Sequence, residues 1–409
     1  MEKDKGSSLL VPSTGVASSS SLNSSDAVDY GLQLMQKKVD ASLLQKQHFN
    51  KSSPYTTRHL SNNTAGITSI IDDAVNVAKD FNEGIAALDI SPVIERIENA
   101  PLSILGESPF YDKQRNVLVY CDITGKKVFV YNISSDTSSE MEFEQAVGFV
   151  IPTSEWNYLS LIVGLENKIV QVNFDTKTIV KDVVSVPPRY INGSCRFNDA
   201  SCSTLGEIYC GYMNTDWRKG KRGFLFKLNL AIQNVDAKLL TVLDDTQMFL
   251  PNGSVTIFDK NREEVFYIVD SGDACIKKLN NNGSVDVIYS LPRIMIDAGY
   301  MIDGMTVDSL NNLYVCVPGA GLILIIDPIL GCEINRITMP VKKPTAVTFG
   351  GPDLSTLYVT TRNEDSSLDP KGSLYKITLN NSKSKEIGSK YANIKATNSQ
   401  EAMCKCTVA

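Results

Sequence analysis

A strand–turn–strand unit recurs six times along this 409-residue chain, and no other feature restricts its fold as strongly. The first copy is Val117-Leu-Val-Tyr-Cys121, a Thr-Gly-Lys-Lys turn, then Val128-Phe-Val-Tyr131. Equivalent pairs follow at Leu159–Val163 with Ile169–Val172, Ile208–Gly211 with Phe224–Leu228 after an insertion, and Val265–Val269 with Cys275–Leu279. The last two are Leu313–Val317 with Leu322–Ile326 and Leu357–Thr361 with Leu374–Ile377. β-Branched and aromatic residues dominate the strands, and Gly and polar residues fill the turns. The copies begin 42, 49, 57, 48 and 44 residues apart. A period of roughly 40–50 residues with several strands per unit is that of propeller blades. A β-sandwich has the same strand content but no reason for a regular six-fold spacing. The fold class expected is all-β, a six-bladed β-propeller.

Composition divides the chain into three parts: an extension over 1–92, the propeller over 93–378 and a tail over 379–409. Nine serines in residues 1–25 predict disorder. From Asp26 to about Ile90 the spacing is helical: Ile67, Ile70, Ile71, Ala74, Val75, Ala78, Phe81 and Ile85 define an amphipathic stripe, and Val28–Leu44 a weaker one. The extension is therefore expected to be partly disordered and partly helical. Surface helices on a flexible leader are the expected reading, with partner docking or lid formation as the alternative.

The formal charge of −6 supplies no basic footprint, so nucleic acid is not expected as a partner. No apolar run reaches the length of a membrane span, and the N-terminal residues carry no apolar signal core. Nine scattered cysteines, without a Cys-x-x-Cys pair, suit reduced thiols in the cytoplasm. The only histidines are His48 and His59, both in the extension. A Ser-His-Asp triad or a histidine zinc site is thereby excluded from the propeller.

In a propeller the innermost strand of each blade lines the central channel. It should precede the Leu-Tyr-Val-type strand by roughly 10–14 residues. That phase holds Glu107 in blade one, Arg196 and Asn198 in blade three, Asn252 in blade four and Asp303 in blade five, with only small residues near Ala146 and Thr345 in the others. Asn-Gly and Asp-Gly pairs are also ordinary turn signals. Their recurrence at one phase of the repeat favours a site. Two carboxylates converging in a narrow channel require a counter-charge, and an all-oxygen set suits one divalent cation, Ca, Mg or Mn before Zn.

These motifs resemble the senescence marker protein (regucalcin), gluconolactonase and luciferin-regenerating-enzyme family. The similarity rests on Leu105-Gly-Glu-Ser-Pro109, Arg196-Phe-Asn-Asp199, Pro251-Asn-Gly253, Tyr267-Ile-Val-Asp-Ser271, Ile302-Asp-Gly-Met305 and Phe349-Gly-Gly-Pro-Asp-Leu-Ser355, in family order over about residues 100–378. The resemblance implies a metal-dependent hydrolase of the lactonase type acting on a small-molecule substrate. It implies Glu107, Asn252 and Asp303 as metal ligands, with Asp303 doubling as the catalytic general base. It implies Arg196 and Asn198 as substrate hydrogen-bonders and Asp216 as a carboxylate for substrate hydroxyls. The chain departs from the family at Ala200-Ser-Cys-Ser203, where Gly-Lys and an Asp are usual, and at Ser254-Val-Thr256. That departure predicts an altered substrate wall. A non-catalytic metal- or ligand-binding propeller and an interaction propeller remain as competing readings.

The C-terminal Cys406-Thr-Val-Ala409 fits a prenylation tetrapeptide, and Cys404 is a neighbouring palmitoylation candidate. Weak membrane association through a lipidated tail is the expectation there, since one lipid chain holds a membrane only marginally.

Overall fold

The computed structural model describes residues 90–381, except 156, 204–205, 231–238, 260–262 and 364–371. The expected helices of the extension, both histidines, Cys404 and Cys406 lie outside the described residues.

The β-propeller is confirmed: six antiparallel four-stranded sheets are arranged as blades around a channel. Blade one comprises Gly106–Asp112, Val117–Asp122, Lys127–Asn132 and Thr137–Glu142. Blade two comprises Phe149–Pro152, Ser160–Gly164, Lys168–Asn173 and Thr178–Ser185. Blade three comprises Cys195–Cys202, Ile208–Asn214, Phe224–Leu228 and Leu239–Leu243. Blade four comprises Pro251–Phe258, Glu264–Asp270, Cys275–Leu279 and Val285–Ser290. Blade five comprises Met305–Val307, Leu313–Val317, Leu322–Asp327 and Cys332–Thr338. Blade six takes Pro344–Gly350, Thr356–Thr361 and Tyr375–Asn381 from the C-terminal side and Ile90–Arg96 as its outermost strand.

That last pairing closes the ring. Ile90 lies opposite Asn381 and Arg96 opposite Tyr375, so segments from the two ends of the propeller share one sheet.

Burial falls from hub to rim as the strand sequences dictate. Val117–Asp122 is buried at every position, whereas Thr137–Glu142 keeps one buried residue, Met141. Aromatic rings bridge neighbouring blades: Phe149 meets Phe197 edge-on at 5.6 Å, Tyr209 stacks on Phe266 at 4.3 Å and Tyr314 meets Phe349 edge-on at 5.3 Å. Such offset and edge-on pairs add stabilisation beyond their buried area. Cys121, Cys195, Cys275 and Cys316 are buried thiols without disulfide bonds. Among the described residues no helix is long and apolar enough to cross a membrane.

Candidate active site

Each innermost strand begins at the same end of the channel, and that end carries the polar residues. Aspartates at the ends of second strands fix the approach loops. The Asp122 carboxylate accepts from the backbone N–H of Ile104 (2.7 Å) and Leu105 (3.0 Å), two residues before Glu107. Asp270 repeats this in blade four, accepting from Phe249 and Leu250 at 2.8 Å each, two residues before Asn252.

The strands are then interrupted where the site residues occur. Pairing shifts register between Glu107 and Phe110, between Phe197 and Ala200, between Pro251 and Ser254, and between Pro344 and Ala346. A bulge bends the strand and re-aims its side chains. Ser108, inside the first bulge, has φ 51°, a left-handed conformation costly for a residue other than Gly or Asn. Its hydroxyl accepts from the Val150 N–H at 3.3 Å, tying blade one to blade two.

Asn252-Gly253 lies inside a strand and Asp303-Gly304 leads directly into one. The glycines serve close approach. A Cβ on Gly253 would lie 2.2 Å from the Met305 nitrogen, and one on Gly304 would lie 2.3 Å from the Ala346 Cβ. Neighbouring innermost strands can abut only with hydrogen at these positions.

The expected residues are thus brought together. Glu107, Asn198 and Asn252 are buried, while Arg196 and Asp303 are partly exposed to the bore. Arg196 Nη1 donates to Asn198 Oδ1 (2.7 Å) and to the Phe197 carbonyl (2.9 Å), and Asn198 Nδ2 donates to the Pro251 carbonyl (2.9 Å). Asn198 is accordingly engaged by the protein on both ends of its amide and holds the Arg196 guanidinium in place. Asn252 Nδ2 donates to Ser271 Oγ (3.1 Å), which donates to the Ile302 carbonyl (2.6 Å) beside Asp303.

The electrostatics are those of crowded anions. Burial, then the charges of Asp303 and Asp199, push Glu107 well above the ordinary carboxylate range, with Arg196 opposing. Burial, then Asp199, pushes Asp303 up to about 7, opposed by the Asn252 hydrogen bond and by Arg362 and Arg196. Burial pushes Asp199 up to about 6, against the hydrogen bond from the Ala200 N–H. Glu107 Oε2 is buried without a hydrogen-bond partner among the described residues. No cluster of three or more His, Cys, Asp or Glu suited to a metal ion exists among the described residues. A metal held here therefore requires the Asn252 amide as a donor beside Glu107 and Asp303.

Two participants had no role assigned from the sequence, Asp199 and Arg362. Strict alternation from Arg196 and Asn198 points Asp199 away from the bore, and the bulge between Phe197 and Ala200 turns it in. Arg362 follows the second strand of blade six and pairs with Leu105 across an isolated bridge. Its only signal was its place at a strand end. Asp216 occupies a different position: it is half-exposed, after the second strand of blade three, and bonds Lys219 at 3.0 Å.

The departure at Ala200–Cys202 lies on the same innermost strand as Arg196. Asp199, Ala200, Ser201 and Cys202 line the inner bore with Ser254, Val255 and Thr256, a cavity of about 60 Å³. Ser201 Oγ is 2.6 Å from Ser254 Oγ. These substitutions remodel the interior of the channel, because the strand runs inward from Arg196.

Fold and site together define a six-bladed propeller with an acidic, amide-bearing channel mouth. The chain belongs to the SMP-30/Gluconolactonase/LRE-like region family, whose model matches residues 105–363. That match spans Glu107 through Arg362. Among similar proteins, the regucalcin of Danio rerio is 27% identical over 259 residues, 63% of this chain and 82% of that protein. The pentonolactonase XacC of Haloferax volcanii is 29% identical over 203 residues, 47% of this chain and 65% of that protein. A solved luciferin-regenerating enzyme superposes with TM-score 0.60 at 23% identity, covering 75% of this chain and all of that one (100%). The calcium-binding regucalcin of Agrobacterium tumefaciens superposes with TM-score 0.58 at 17% identity, covering 69% and 92%. These two structural likenesses concern the fold.

Proposed function

We propose that the protein is a divalent-cation-dependent hydrolase of small lactones or related esters, with its reaction centre at the channel mouth. The observation that carries this reading is the convergence of Glu107, Asn252 and Asp303 beside the Arg196 guanidinium, with one buried Glu107 oxygen lacking a donor. Mutually raised carboxyls with an unpartnered buried oxygen suit a cation better than they suit each other. The oxygen-only donor set favours Ca, Mg or Mn over Zn. The printed name of one relative, a pentonolactonase, agrees in reaction class.

Glu107, Asn252 and Asp303 would hold the ion, which supplies Lewis-acid polarisation of the carbonyl and acidifies water. Asp303, a carboxylate the bound ion would keep ionised, would act as the general base. In the reaction, water oxygen bonds to the carbonyl carbon and the Asp303 carboxylate takes its proton. The ring carbon–oxygen bond then breaks, and that proton passes to the departing alkoxide. Arg196, held by Asn198 and the Phe197 carbonyl, orients substrate oxygens. Asp216 is assigned to substrate hydroxyls at the rim, where it would exchange Lys219 for the ligand.

The test is hydrolysis of a lactone panel by metal-stripped protein with Ca, Mg, Mn or Zn restored, beside Asp303→Asn. Metal-restored turnover lost in the variant is the expected result. Tight metal binding with no turnover would establish a binding propeller instead.

A further inference from the structure

The insertion in blade three, between Ile208–Asn214 and Phe224–Leu228, carries Arg218, Lys219, Lys221 and Arg222 within five consecutive positions of a chain with net charge −6. It lies at the mouth end, where second strands finish. Beneath it is a cleft of about 340 Å³ lined by Arg189, Lys221 and Arg222 together with Asn192, and by Asp245 as the one carboxylate. Its inner wall is the strand pair of blade three that bears Arg196. Cys195 and Met213 line it, and Met213 is the pairing partner of Arg196.

Arg222 and Arg189 are held by packing on aromatic rings, while Lys219 is paired with Asp216 at 3.0 Å. Arg222 lies over the Phe249 ring at 4.8 Å, and Arg189 over Tyr190 at 4.7 Å. Arg222 forms a long ion pair with Asp273 at 3.6 Å, a carboxylate it shares with Lys277 at 3.1 Å. Arg222 Nε is buried and makes no hydrogen bond. Arg222 thus brings a guanidinium fork, fixed over the Phe249 ring, to the lining of a concave polar space.

We infer that this cleft binds an anionic group, phosphate or carboxylate, carried on the substrate away from the bond that is cut. The inference rests on the small-molecule reading of the neighbouring centre and specifies its substrate class as anionic. A macromolecular partner is disfavoured because the space is concave and adjoins Arg196. Arg222 supplies the fork, while Lys221 and Arg189 supply charge.

Calorimetric titration of the full chain, loaded with calcium, tests this with three non-hydrolysable open-chain acids: gluconate, gluconate 6-phosphate and glucarate. The expected result is that at least one second anion improves affinity over gluconate by about ten-fold or more. The better of the two identifies phosphate or carboxylate as the group. The ratio should collapse toward unity in Arg222→Met and fall in Lys221→Met, whose exposed side chain leaves folding intact. Arg222→Lys should retain part of it. Equal affinity for all three acids, no binding by either anion, or a preference unchanged in both Met variants would overturn the inference. Because binding is measured without turnover, an anion preference in a protein that hydrolyses nothing would sink the hydrolase reading and leave this one standing. Lactone turnover without anion preference would do the reverse.

Discussion

Lys277 Nζ lies 2.6 Å from Asp270 Oδ2, both side chains almost wholly buried, and the same carboxylate fixes the backbone that delivers Asn252. The ammonium also donates to the Gln247 carbonyl at 2.7 Å and to Asp273 at 3.1 Å. Asp270 is therefore compensated on every side, by N–H groups from the loop and by Lys277 from the third strand of blade four. Removing only the cation leaves an uncompensated buried carboxylate. Lys277→Met is expected to lower stability by about 3–5 kcal/mol, read from denaturant midpoints. It should also weaken metal binding, read by calorimetry, because the loop before Asn252 loses its anchor. A shift below about 1 kcal/mol would mean that water replaces the pair and that the loop is held otherwise.

Gly253→Ala tests whether close packing of innermost strands sets the site. The added methyl would meet the Met305 nitrogen at 2.2 Å and Gly304 backbone at 2.7 Å, with no flexible side chain to yield. Blade four must then move from blade five, separating Asn252 from Asp303. The expected cost is about 1–3 kcal/mol of stability with a larger proportional loss of metal affinity. Unchanged affinity in a destabilised protein would show that the ligands tolerate the shift.

Glu107→Gln separates the electrostatic role of the site from its structural one. Glu107 is raised by burial and by two neighbouring carboxylates, so neutralising it relieves strain in the metal-free state. The melting temperature without metal is expected to rise by about 3 °C at pH 8. Stabilisation by added calcium should at the same time nearly vanish, with affinity falling by more than about 100-fold. A lower metal-free melting temperature would contradict the reading of Glu107 as an uncompensated anion.

The architecture was legible because the strand repeat is written in β-branched residues, and the channel residues because they recur at one phase of it. Glu107, Arg196, Asn198, Asn252 and Asp303 all follow from that phase. Asp199 does not, since a bulge overrides alternation and nothing in Arg-Phe-Asn-Asp announces one. Ile90–Arg96 was equally hidden: Ile-Ser-Pro-Val-Ile-Glu-Arg is short, contains a proline and stands beside a helical pattern. Its strand character comes from a partner almost three hundred residues away, Tyr375–Asn381, which local pattern cannot supply. The Asn-Gly and Asp-Gly pairs were ambiguous between turn and close approach, and only the neighbouring strand decides between them.

The three carboxyls give a pH dependence whose sign can be worked out. Asp303 is pushed up to about 7 and Asp199 to about 6, and Glu107 is raised in the same direction. An unfolded chain loses the Asp303 and Asp199 protons near pH 4, whereas the metal-free native state keeps them until about pH 6–7, and Glu107 shifts in the same direction. Between those limits the native state binds more protons, so the slope of unfolding free energy against pH is negative. Through Asp303 and Asp199, metal-free stability should be highest at the acidic end of that window and decline as pH rises to about 7, with Glu107 adding to the decline. Calcium affinity should run the opposite way, rising through the same window because the ion must displace the protons. Asp199→Asn removes a charge that raises Asp303, and should shift the midpoint of the affinity curve to lower pH. Calorimetry in buffers of different ionisation enthalpy would count the protons released on binding. A release near zero at pH 6 would show that the carboxyls are already ionised and that the crowding is relieved by other means.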